Sequence, residues 1–281
     1  MLDLPIHEMA IFALAIAAYL AAAVVGVLQL LAGGQRYRRL ISPLVLAAVV
    51  LEAALLISRA IEIKAVPLTG IFESMIVLTM ACALLQLFVG RAIRRVWFGS
   101  VMVWVIFGLV VLTAAVAEPA SQAHEAASTP WAIAHAIAMI LGGAAAMLAA
   151  ASAGLYLFGR RKLKQKRVLQ VLGKVPNIET LERMNLFGLK WCFYLMTLGL
   201  GSGIGMAATT PSVDMTGRDW LTDPKIVLVA AVWLLLAMIL ALLRTVKLKE
   251  KTVAYATIVA FALILFAVVG TLAFCGSGHD F

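Results

Sequence analysis

Long apolar runs broken by short polar segments set the pattern of this chain. Eight runs, near 8–32, 40–63, 68–89, 97–116, 130–158, 187–208, 225–243 and 252–275, stand out. Each is about long enough to cross a ~30 Å hydrocarbon core as a helix. Helices are required because hydrocarbon offers backbone N–H and C=O groups no water to bond. The pattern predicts an all-α membrane protein with eight transmembrane helices in one transmembrane domain over 1–281. The first run reads as a span and not as a signal peptide, since it lacks a basic leader, having Asp3 and Glu8 instead, and is too long for a signal's apolar region. Composition agrees: 64% of residues are hydrophobic and 13% charged, against about 45–50% and about 25% in soluble domains.

Charge predicts the orientation. Alternate loops carry Arg36, Arg38 and Arg39; Arg91, Arg94 and Arg95; Arg160 to Arg167 with Lys174 and Arg183; and Arg244, Lys247, Lys249 and Lys251. Together they hold 18 of the 23 Lys and Arg residues. Positive residues stay in the cytoplasm, so both termini are expected outside, on the periplasmic side of a bacterial inner membrane. The net charge of +9 then reports topology. It points to no nucleic-acid partner, and the inner surface is expected to favour anionic lipid headgroups of the bilayer. The outer segments 1–7, 64–67, 117–130, 209–224 and 276–281 are too short to fold alone. In the inner loop 159–186, Asn177 is expected to cap a short helix, with Thr180 the weaker choice.

Several polar residues lie within the spans. Glu52 and Arg59 stand two turns apart on one face of the second helix. They read either as a structural ion pair, through intermediates or Glu62, or as a ligand or proton path. Glu73 opens the third helix, and Lys190 near the inner end of the sixth reads as snorkelling. Gly199, Gly201, Gly203 and Gly205 permit close approach of a helix or a flat ligand, and Gly142-Gly143-Ala144-Ala145-Ala146 offers a small-residue packing face. Cys82, Cys192 and Cys275 form no CxxC, so no thiol-exchange or covalent heme-attachment motif is present.

All four histidines, His7, His124, His135 and His279, fall on the expected outer side. His135 lies about one turn inside the fifth helix, and His279 just beyond the eighth. An interfacial histidine can simply bond a neighbouring helix, and a terminal one can belong to a frayed tail. Two facing imidazoles can instead complete a six-coordinate heme iron. Ahead of the seventh helix runs Asp219-Trp220-Leu221-Thr222-Asp223-Pro224-Lys225. Pro224 suits a first helical turn and Asp223 an N-cap, while Trp220 beside a helix N-terminus also suits a flat anionic ligand.

These residues resemble the heme-handling cytochrome c assembly proteins of the CcsA (ResC) and HemX type. That family carries W-G-x-Y-W-x-W-D-P-K-E-x-W in an outer loop. Asp223, Pro224 and Lys225 match its D-P-K, and Trp233 a later Trp. Pro67-Leu68-Thr69-Gly70-Ile71-Phe72-Glu73-Ser74 resembles P-L-x-N-x-Y-E-S. Leu181-Glu182-Arg183, His135 and His279 also fall in place, so the resemblance covers 67–281. Departures are Thr222 for Trp, Ile226 for Glu, Leu228 for Trp and Ala241 for the membrane-level His. The resemblance implies non-covalent b-type heme with His135 and His279 as axial ligands of the iron. It further implies Trp220 packed on the porphyrin, Asp223 and Lys225 shaping the loop, and Arg218 and Lys225 near the propionates.

The implied partners are a cytochrome c assembly protein or apocytochrome c, within a heme c lyase system. Two other readings stay open: a HemX-like scaffold or regulator, and a heme-bearing membrane subunit of a respiratory complex. An ion transporter fits less well, since mid-depth acids are few and the seventh helix has no Gly/Pro break.

Overall fold

The computed structural model describes residues 4–32, 38–64, 70–92, 96–116, 129–166, 176–209, 224–246 and 248–267. Among them are eight helices and no strand: α1 (Ile6–Ala32), α2 (Arg38–Ile63), α3 (Ile71–Ala92), α4 (Val96–Val116), α5 (Pro130–Lys164), α6 (Ile178–Thr209), α7 (Pro224–Thr245) and α8 (Glu250–Leu265). Seven, α1 to α7, are long and apolar enough to cross a membrane. The 16-residue α8 is shorter, and its expected continuation to 275 lies outside the described residues.

Helix ends follow local chemistry. Asn177 Oδ1 accepts the Thr180 N–H at 2.7 Å, the expected cap. The helix it opens is not a short separate one, however. No Gly or Pro interrupts 178–187, so the segment runs on as the 32-residue α6. At ~1.5 Å per residue α6 is about 48 Å long, well beyond the hydrocarbon core. Lys190 is exposed and lies about 18 Å from the start of α6, a depth that suits snorkelling. The 35-residue α5 likewise overruns its expected end and carries Arg161, Lys162 and Lys164 in its last turn, where cations favour the helix dipole. Lys64 and Lys166 adopt φ of 56° just past α2 and α5, the left-handed turn that commonly stops a helix. Pro224 opens α7, as its missing N–H allows.

The chain divides into two compact units, residues 1–123 with 158–180, and 124–157 with 181–281. In the first, α1 packs on α2 and α4, and α3 packs on α2 and α4, closing an up-down ring of four helices. Tyr19, Leu55, Phe72, Phe98, Met102 and Ile106 fill its centre. Phe12 and Phe72 meet edge to face, with centroids 5.2 Å apart. Leu14, Val50 and Phe88 point outward, as lipid contact requires.

The second unit is built on a core of Leu189, Cys192, Met196, Val232, Leu236, Ile239 and Val253. Lipid-facing helices gain no hydrophobic drive from associating, so close packing and hydrogen bonds must hold them. Both occur. Trp233 of α7 stacks on Phe193 of α6 at 5.6 Å and donates its indole N–H to Thr197 Oγ1 at 2.8 Å. Thr257 of α8 lies 2.9 Å from Asn185 Oδ1 of α6.

Candidate functional site

The antiparallel seam of α5 and α6 places the histidine of greatest chemical interest. A Cβ added at Gly188 would stand 2.8 Å from Ala145 O and 2.9 Å from Ala149 N, so the two backbones nearly touch. That contact uses the expected small-residue face of α5. Further along, Trp131, His135 and Met139, one turn apart in succession on α5, face Gly205, Gly203 and Gly199 of α6. Added Cβ atoms there would meet the Trp131 ring at 2.9 Å, His135 Nδ1 at 3.1 Å and Met139 Sδ at 2.5 Å. Gly201, by contrast, faces open space. Three of the four glycines therefore serve helix approach.

His135 is half-buried, and its Nδ1 lies 2.7 Å from the Gly199 carbonyl oxygen. A carbonyl only accepts, so Nδ1 carries the proton. In a neutral imidazole Nε2 then holds the lone pair. Metal-ligating histidines are commonly held this way, with the other ring N–H bound to a carbonyl or carboxylate. The geometry thus fits an iron ligand, and it also realises the helix-to-helix hydrogen bond of the alternative reading.

Of the other expected site residues, Lys225 lies in the first turn of α7. His279, Trp220, Asp223 and Arg218 lie outside the described residues, as does His124. His7 is exposed, with Nε2 3.4 Å from Ser58 Oγ. Trp233 is committed to α6, and Ala241, at the family's membrane-level histidine, is exposed on α7.

A second polar cluster occupies one end of the first unit. Arg59 of α2 reaches Glu8 of α1 at 3.4 Å, Glu62 at 3.2 Å and Glu73 of α3 at 3.0 Å. Glu8 and Glu73 are fully buried and Glu62 is half-exposed. Ser58 Oγ donates to the other Glu8 oxygen at 2.7 Å. Arg59 is thus a structural tie among three helices. It does not pair with Glu52, which instead contacts Tyr19 and Thr79. The likeness of Phe72-Glu73 to the family segment gains a physical reason: Phe72 packs on Phe12, and Glu73 holds Arg59.

Sequence reasoning missed Glu8, which reads as a flank of the first span, and the partners Trp131, Tyr19 and Thr79. The spacing of Trp131, His135 and Met139 against Gly199 and Gly203 was an available signal. Among the described residues, no group of three His, Cys, Asp or Glu side chains forms a metal cluster.

A family model described as Cytochrome C assembly protein matches residues 68–274, most of the chain. Neither curated proteins nor solved structures give a match.

Proposed function

Because the chain belongs to the cytochrome C assembly protein family and so acts in cytochrome c biogenesis, we propose that it holds heme for that process at the outer face of the membrane. It is a multi-pass membrane protein. In our reading all eight helices cross, both termini lie outside, and the His135 end of α5 opens on the periplasmic side of a bacterial inner membrane. The single observation behind the heme reading is the bond from His135 Nδ1 to Gly199 O, 2.7 Å long, which assigns the lone pair to Nε2.

His135 and His279 would hold the iron of a b-type, non-covalent heme. Trp220 offers a flat packing surface, Asp223 and Lys225 shape the loop, and Arg218 and Lys225 neutralise propionates. Bound there as cargo or cofactor, heme would supply the vinyl groups to which the thiols of apocytochrome c add. The sequence has no CxxC with which to keep those thiols reduced, and the role proposed for its own residues is to bind, orient and shield. A separate assembly protein is the expected partner in a heme c lyase system.

A second reading, a HemX-like scaffold, is favoured by Thr222, Ile226, Leu228 and Ala241 at positions where the family pattern has Trp, Glu, Trp and His. The visible spectrum of the purified chain, oxidised and reduced, separates the two. Heme handling predicts a sharp reduced α-band that His135→Ala/His279→Ala abolishes. No heme band, even after hemin is supplied, leaves the scaffold.

A further inference from the structure

Glu52 lies near the middle of α2, fully buried, and contacts both neighbouring helices. Tyr19 Oη of α1 is 2.8 Å from Glu52 Oε2, and Thr79 Oγ1 of α3 is 2.6 Å from Glu52 Oε1. Thr79 Oγ1 is also 2.8 Å from the Ile76 carbonyl oxygen of its own helix. Each of these three oxygen pairs is at hydrogen-bond distance, and a two-centre bond in each needs its own proton. The Tyr19 and Thr79 hydroxyls supply one proton each. The Ile76 carbonyl supplies none. With two-centre bonds throughout, one proton is missing, and among the described residues at this site the Glu52 carboxyl is the group that can carry it.

Charge leads to the same assignment. An ionised carboxylate at this depth needs a cation. The guanidinium on the same helix is seven residues away, about 10 Å along the axis. It is engaged by Glu8, Glu62 and Glu73. No ion pair reaches Glu52 among the described residues. The titratable groups facing it are Tyr19 from α1 and the fully buried Cys82 thiol, one turn beyond Thr79 on α3; α4 carries no titratable side chain.

We propose that Glu52 is a proton-binding site inside the membrane, resting as a neutral carboxylic acid. Its Oε1–H donates to Thr79 Oγ1, Thr79 donates to the Ile76 carbonyl, and Tyr19 donates to Glu52 Oε2. The chain Tyr19–Glu52–Thr79–Ile76 then places one proton in every contact and leaves no net charge at the Glu52 site. This site is separate from His135 and does not depend on heme.

The test is the infrared spectrum of the full chain reconstituted in phospholipid at neutral pH. The difference between wild type and Glu52→Gln should contain the carbonyl band of a protonated carboxylic acid. Loss of ionised-carboxylate bands instead would overturn the proposal. Tyr19→Phe keeps the acid but removes the donor to its carbonyl oxygen, so the acid band should rise in frequency; a band that does not move contradicts the assignment. Thermal unfolding is the independent check. A Gln amide reproduces one donor and one acceptor, so Glu52→Gln should melt with the wild type while Glu52→Ala melts lower. Glu52→Gln melting as low as Glu52→Ala would also overturn it.

Discussion

Replacing Arg59 by Met tests the account of the first unit. The guanidinium is 4% exposed and the Glu8 and Glu73 carboxylates are 0% exposed, so water does not screen these pairs. Removing one partner of a buried ion pair leaves an uncompensated charge and costs about 3–5 kcal/mol. Arg59 serves two such carboxylates on two other helices, so the loss should lie toward the upper part of that range. The Ser58 hydroxyl on Glu8 limits the damage on that side. Glu62 is the internal control: it contacts the same guanidinium at 3.2 Å but is 49% exposed, and exposed pairs are worth about 0–1 kcal/mol. Glu62→Gln should therefore be nearly silent. Unfolding by SDS in mixed micelles, followed by far-UV circular dichroism, reads both. Because the penalty comes from stranded carboxylates, Arg59→Met/Glu73→Gln should recover part of it. Arg59→Met within about 1 kcal/mol of wild type, or no recovery in the double variant, would refute the burial argument, since that argument requires the multi-kcal/mol loss.

Four further outcomes follow from the second unit. Gly188→Ala should separate α5 from α6 and destabilise the protein by about 1–3 kcal/mol in the same assay, because the new methyl meets backbone. Gly201→Ala, with open space at its Cβ, should be neutral or stabilising by up to about 1 kcal/mol. Trp233→Phe keeps an aromatic partner for Phe193 but loses the bond to Thr197, a loss of about 0.5–1.5 kcal/mol that Thr197→Val should reproduce without adding to it. Gly203→Ala should displace the His135 ring and weaken heme retention, measured by absorbance after gel filtration, while Gly201→Ala should not.

The helices were legible because hydrocarbon permits little else for long apolar runs, and because Asn177 and Pro224 announced helix starts. Helix lengths were less so. The first turns of α6 are amphipathic and mixed in composition, so they read as loop, and only the absence of a breaker betrays their continuity. The polar residues were visible but their partners were not. Glu52 and Arg59 share a face of α2, yet each is satisfied by other helices. Arg59 binds Glu8, Glu62 and Glu73, while Glu52 meets Tyr19 and Thr79. Spacing within one helix cannot choose between such partners; the order of packing does. His135 was found because a helix-embedded imidazole is conspicuous in so apolar a chain. Its tautomer came only from the register that brings Gly199 O to Nδ1.

That register gives the most direct test of the heme reading. His135→Gly should leave a hole at the ligand position, and added imidazole should fill it. The account predicts that the reduced α-band of the heme-loaded protein is lost in His135→Gly and returns on titration with imidazole, while a variant at exposed His7 keeps the band throughout. An α-band that survives His135→Gly unchanged would contradict His135 as the iron ligand.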